Sequence, residues 1–219
     1  MSDAAVHTAR WPLVRPEVWG TPAAQHGALD YAELEQLRLK PEAVLDFSVN
    51  SNPFGPSPRV RRALTRVPLD RYPDRECLAL RRALAVRLGT TPDHLVVGNG
   101  SSELLWLTAF ALLRKGDRVM IVGPTFGEYA RVAALMGAQL CHWVAHPEQS
   151  FEVSEKEVAG ALRASRPTLV FVCNPNNPSG TVVPREVLIA WATAHPETLF
   201  VVDEAYQSFA PGFESTVGT

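Results

Sequence analysis

TLVFVCNPNNPSGT (168–181), a short helical segment and TLFVVDEAY (198–206) make up the stretch from which the rest of the chain can be read. Leu169 to Cys173 and Leu199 to Val202 are apolar runs rich in β-branched and aromatic residues. Each gives way to polar groups, the first to the rigid turn Asn174 to Gly180, the second to Asp203 and Glu204. A continuous apolar run ending in polar side chains is how a buried parallel strand delivers chemistry at its carboxyl end. Pro184 to Thr193, between the two runs, reads as a helix.

The same alternation extends upstream. Leu95 to Val97 reads as a strand, followed by a tight turn at Gly98 to Ser102. Glu103 to Leu113 is a helix so apolar that burial on most sides is expected. Arg118 to Val122 is a strand ending in Gly123-Pro124, Phe126 to Met136 a helix stopped by Gly137, Gln139 to Val144 a strand and Val153 to Ala164 a helix. Strands and helices joined by short turns argue an α/β layered fold, with a mainly parallel sheet and helices on both faces.

Nearer the start the pattern is looser. Asp30 can cap a helix running to Leu39, and a short strand at Leu45 enters a Pro- and Gly-rich loop that presents Asn50, Asn52 and Phe54. Ser57-Pro58 opens a helix to Leu64, Tyr72 to Asp74 is a turn, and Glu76 to Leu88 is a helix stopped by Gly89. Residues 1–25 carry Pro12, Pro16 and Pro22 without apolar periodicity, so a partly disordered arm is expected there.

Bulk properties narrow the function classes. The 219 residues are 46% hydrophobic and 20% charged, as in soluble globular domains. A net charge of −2 offers no footprint for nucleic acid or an anionic membrane. Cys77, Cys141 and Cys173 are scattered and odd in number, which suggests neither a disulfide framework nor a metal site. With no membrane-length apolar run and no signal-peptide layout, a reduced, cytoplasmic protein is expected.

Three constellations can carry chemistry. Gly98-Asn-Gly-Ser-Ser-Glu103 lies where a strand hands over to a helix, and free amide groups at such a point bind phosphate. The plainer reading is a turn capped by Ser101 or Ser102, and no third glycine completes a dinucleotide fingerprint. Asp203-Glu204 also resembles the magnesium-binding motif of P-loop ATPases, but none of Lys40, Lys115 and Lys156 follows the glycine-rich loop which that reading requires. Asn174, Asn176 and Asn177 are harder to explain as an ordinary loop, because their amides need partners once buried.

NSNPFGPSP (50–58), RYPD (71–74), GNGSSE (98–103), PTFGEYARV (124–132), CNPNNPSGT (173–181) and VDEAY (202–206) occur in one order at plausible spacings. Together they resemble the pyridoxal-phosphate-dependent aminotransferases of class I/II, in the group containing histidinol-phosphate aminotransferase and L-threonine O-3-phosphate decarboxylase. The resemblance covers residue 26 onward and implies the large domain of a fold-type I transferase, with pyridoxal 5′-phosphate as cofactor. It implies three parts: an arm at 1–25, a segment at 26–70 contributing to the small domain and substrate entrance, and an incomplete cofactor-binding domain at 71–219. It implies that Ser101 and Ser102 hold the cofactor phosphate, Phe126 stacks on the ring, and Asp203 pairs with the ring nitrogen. Asn177 and Tyr206 then bond the phenolic oxygen, and Tyr72 reaches the cofactor of a neighbouring subunit in a homodimer. Substrate contacts implied are His26, Asn50 and Asn177, with a phosphorylated amino acid or amine as substrate. His26-Gly27, Asn50 and Trp143 lean toward the decarboxylase branch, while most other motifs are shared with the aminotransferases.

The chain departs from the family at one decisive point. The Schiff-base lysine implied by the resemblance lies a few dozen residues beyond Asp203, whereas Thr219 is the last residue here and no lysine falls at a matching position. No catalytic residue is therefore assigned. The expectation is the N-terminal part of a longer enzyme, with apolar edges left uncovered and poor solubility in isolation. The alternative is a short product that is catalytically inactive and serves as a binding module.

Overall fold

In the computed structural model, which describes residues 14–24 and 27–218, the sheet is built around two strands with wholly apolar interiors. These are β1 (Arg118–Gly123) and β3 (Leu169–Cys173). β2 (Gln139–Val144) and β4 (Leu199–Asp203) flank them in the order β2-β1-β3-β4, every pair parallel. Side chains along a strand alternate between faces. Val119, Ile121, Leu169, Phe171 and Cys173 accordingly pack on α5 (Gly100–Leu112) and α6 (Glu128–Leu135). Met120, Val122, Val170 and Val172 pack on α7 (Glu155–Ser165) and α8 (Arg185–Ala194) on the other face. Both faces of β1 and β3 are covered, so neither strand interior has room for a polar residue.

The chain divides into two units, Met1–Ala23 with Ala79–Thr219 and Ala24–Leu78. In the first, α1 (Pro16–Gly20) is tied down by Arg15 donating to the Leu135 carbonyl at 2.7 Å and by a Lys115–Glu17 ion pair at 3.0 Å. α4 (Leu78–Leu88) is stopped at Gly89, whose φ is +66°. In the second unit, α2 (Tyr31–Leu37) is capped by the Asp30 carboxylate, which accepts from the Ala32 and Glu33 amides. α3 (Pro58–Leu64) is capped by Ser57. Both caps stand where the sequence expects them.

Three expectations are corrected. Leu95 to Val97 and the stretch at Leu45 are not strands, because a strand exists only as part of a ladder and neither has a pairing partner among the described residues. The helix read from 103 to 113 begins earlier, at Gly100, and is not buried on most sides. Leu105 and Ala109 are buried, while Phe110 is 77% exposed. The second apolar run, in β4, lies at the open edge of the sheet, with Leu199 at 45% exposure. No helix among the described residues is long and apolar enough to cross a membrane.

Candidate cofactor site

Strand order reverses between β1 and β3, since β1 leads to one edge and β3 to the other. A crevice at the carboxyl ends of the strands is expected at such a switch point. Ser101, Phe126, Tyr129, Cys173, Asn177, Asp203, Ala205 and Tyr206 line one pocket there. They come from the start of α5, the turn after β1, α6, the end of β3 and its loop, and the end of β4.

Each wall has a local cause. Register places Asp203 beside Cys173, and the Asn174 amide donates to the Asp203 carbonyl at 2.8 Å. The three asparagines divide the work of the loop. Asn174, 1% exposed, donates to the Val183 carbonyl and accepts from the Val183 amide, both at 2.9 Å. Asn176 donates to the Pro124 carbonyl at 2.9 Å and to Ser179 Oγ at 2.7 Å, tying the loop to the turn after β1. With both neighbours anchored, Asn177 is the one left at the pocket, its Nδ2 3.5 Å from the Tyr206 hydroxyl.

The start of α5 forms another wall of the pocket. No side chain caps the helix there. Instead Glu103 reaches back and accepts from the Asn99 amide at 2.5 Å. Gly100 takes φ +78°, a conformation that favours glycine, and a Cβ on Gly98 would stand 2.9 Å from Leu104 Cδ2, so a larger residue there would have to push that side chain aside. The first amides of α5 have no acceptor within the helix, and their dipole favours an anion. Ser101 lines the pocket; Ser102, exposed one residue on, does not.

Tyr129, inside the motif PTFGEYARV, carries no local signal of a role in the site. Its ring is fully buried, stacked on Phe171 with centroids 5.0 Å apart and edge-on to Phe126 at 5.7 Å. Its hydroxyl donates to Asp203 Oδ2 at 2.9 Å, while Asp203 Oδ1 accepts from the Ala205 amide at 3.0 Å. Burial, with the Cys173 thiol and the Asp203 carboxylate beside it, pushes the Tyr129 hydroxyl far above the ordinary phenol range. Burial likewise raises the Cys173 thiol. Both groups therefore stay protonated through neutral pH. Glu128, 3% exposed, accepts from Trp106 Nε1 at 3.1 Å and from Arg131 at 3.3 Å, which fastens α6, and with it Tyr129, to α5. Glu204 turns away from the pocket to accept from Ser215 Oγ and from the amide and hydroxyl of Thr216.

The remaining sequence-derived positions are not gathered here. Tyr72 is 97% exposed and Asn50 is exposed, both in the other unit. His26 lies outside the described residues. None of Lys40, Lys115 and Lys156 lines the pocket.

The pattern of the aminotransferase class I and II family matches residues 42–219. The chain belongs to that family. Among its curated members, histidinol-phosphate aminotransferase of Moorella thermoacetica is 38% identical over 178 residues, covering 80% of this chain and 45% of that protein. Among solved members, histidinol-phosphate aminotransferase of Sinorhizobium meliloti in complex with pyridoxal-5′-phosphate superposes with a TM-score of 0.79 at 28% identity, over 93% of this chain and 54% of that one. L-threonine-O-3-phosphate decarboxylase of Porphyromonas gingivalis gives a TM-score of 0.54 at 28% identity, over 64% of this chain and 41% of that one. The chain thus spans about half the length of the family members it matches.

Proposed function

We propose that this chain holds pyridoxal 5′-phosphate in the pocket at the strand ends, as the cofactor-binding part of an aminotransferase of the histidinol-phosphate type. The observation that carries the reading is the convergence of an anion-ready helix start, an aromatic ring and a carboxylate on one pocket. The groups fit the cofactor. The α5 amides and the Ser101 hydroxyl would take the phosphate, with Ser102 beside them; Phe126 would lie against the ring and exclude water. Asp203 would face the ring nitrogen and keep its proton, while Asn177 and Tyr206 would donate to or accept from the phenolic oxygen.

When bound, the cofactor supplies an electron sink for bonds made and broken at an amino carbon. This chain's residues orient it, keep water from its face and hold one proton at the ring nitrogen. No lysine lines the pocket among the described residues. Substrate contacts by Asn50, Asn177 and His26, a phosphorylated amino acid or amine as substrate, a homodimer in which Tyr72 serves the neighbouring site, and a cytoplasmic location belong to the same reading. The decarboxylase alternative has less support, because the solved decarboxylase matches less of the chain and less closely.

Titration with pyridoxal 5′-phosphate, followed by tryptophan fluorescence, tests the proposal. Saturable binding that Phe126→Ala and Asp203→Ala each weaken by about tenfold or more is expected. Binding indifferent to both substitutions refutes it.

A further inference from the structure

Tyr129 presents a chemical puzzle. Its ring sits between Phe171 and Phe126 in the core, where phenylalanine would fill the same space without burying a hydroxyl. A buried hydroxyl costs stability unless it is bonded. Here its partner is a carboxylate 74 residues away in sequence, at the end of an edge strand. Asp203 is attached by single bonds, and the Ala205 amide fixes only one of its two oxygens. The second bond, from Tyr129, holds the other oxygen. Each carboxylate oxygen keeps a further lone pair for a ligand.

Resting on the pocket's reading as a pyridoxal-phosphate site, we propose that Tyr129 is a positioning residue that acts through Asp203, locking the carboxylate in the orientation that meets a protonated ring nitrogen. A tyrosine suits this task because it donates without bringing a charge. An arginine or lysine in its place would neutralise the carboxylate and weaken its pull on the ring proton. Burial keeps the hydroxyl protonated, so the lock holds at every pH at which the ligand itself is protonated. The residue would thus set the alignment of the acceptor through its hydroxyl, which is bonded to Asp203.

A double-mutant cycle tests this in the full chain, with pyridoxal 5′-phosphate as the probe. Tyr129→Phe retains the ring packing and removes only the hydroxyl, and its melting curve checks that the fold is kept. In the chain carrying Asp203, Tyr129→Phe is expected to weaken binding about tenfold. In the Asp203→Ala background the same change is expected to alter binding by less than about twofold. The alkaline limit of binding, where the ring proton is lost, should also move to lower pH in Tyr129→Phe; mere loosening of the core would not move it. Equal weakening in both backgrounds, no weakening in either, or an unmoved alkaline limit overturns the proposal. Binding unaffected by Asp203→Ala overturns the pocket reading itself, a failure separable from that of Tyr129.

Discussion

Asn174→Ala should destabilise the chain far more than removal of an ordinary loop amide. The side chain is 1% exposed and satisfies both backbone groups of Val183, itself 4% exposed, across nine residues. Two hydrogen bonds are lost, and the Val183 amide and carbonyl are left buried without partners. At about 1–3 kcal/mol for each stranded group, the cost is roughly 2–6 kcal/mol. That is a large share of the ~5–15 kcal/mol by which domains are stable, and corresponds to a fall in Tm of roughly 5–20 °C for a chain of this size. Urea unfolding followed by tryptophan fluorescence measures it, with a lower midpoint at unchanged m-value expected. Asn174→Asp is the sharper variant, because it keeps the acceptor for the Val183 amide but sets a carboxylate oxygen against the Val183 carbonyl. It should cost at least as much as the alanine. If either variant lowers stability by less than about 0.5 kcal/mol, the range of ordinary surface changes, the Asn174–Val183 bonds do not hold the loop.

Other consequences can be measured alongside. Phe171→Ala removes a fully buried ring that also supports Tyr129, and should cost about 3–5 kcal/mol in the same urea assay. The raised Tyr129 and Cys173 values set a pH dependence: both groups ionise earlier in the unfolded chain, so their contribution is complete below about pH 8 and is lost as pH rises past the ordinary thiol and phenol values. Urea midpoints from pH 7 to 10.5 should fall, and Cys173→Ala with Tyr129→Phe should flatten the fall. Glu204→Ala removes the carboxylate that accepts from Ser215 and from the Thr216 amide, so hydrogen exchange of that amide should quicken by about tenfold or more while β1 and β3 stay protected. The apolar outer face of α5, with Phe110 and Leu107 exposed, should drive self-association; sedimentation of Phe110→Glu should show less of it than the parent chain.

The central strands were legible from the sequence because burial on both faces leaves only apolar residues, and polar groups then mark the end. Leu169–Cys173 and Gln139–Val144 have the bounds read from the chain, and the caps at Asp30 and Ser57 follow from local chemistry alone. The motif order likewise marks the family in the sequence alone. Other features depended on contacts far along the chain. Periodicity could not tell that Leu95–Val97 has no ladder partner, or that β4 is an edge, since pairing is a property of two segments. Three asparagines in one loop look alike in sequence; only tertiary structure turns Asn174 and Asn176 onto the backbone and leaves Asn177 at the pocket. Tyr129 reads as one more core aromatic on an amphipathic helix. Its function rests on a hydroxyl reaching a carboxylate 74 residues away, a separation that no local pattern encodes and that the packing of α6 on the sheet closes together with the β3–β4 register.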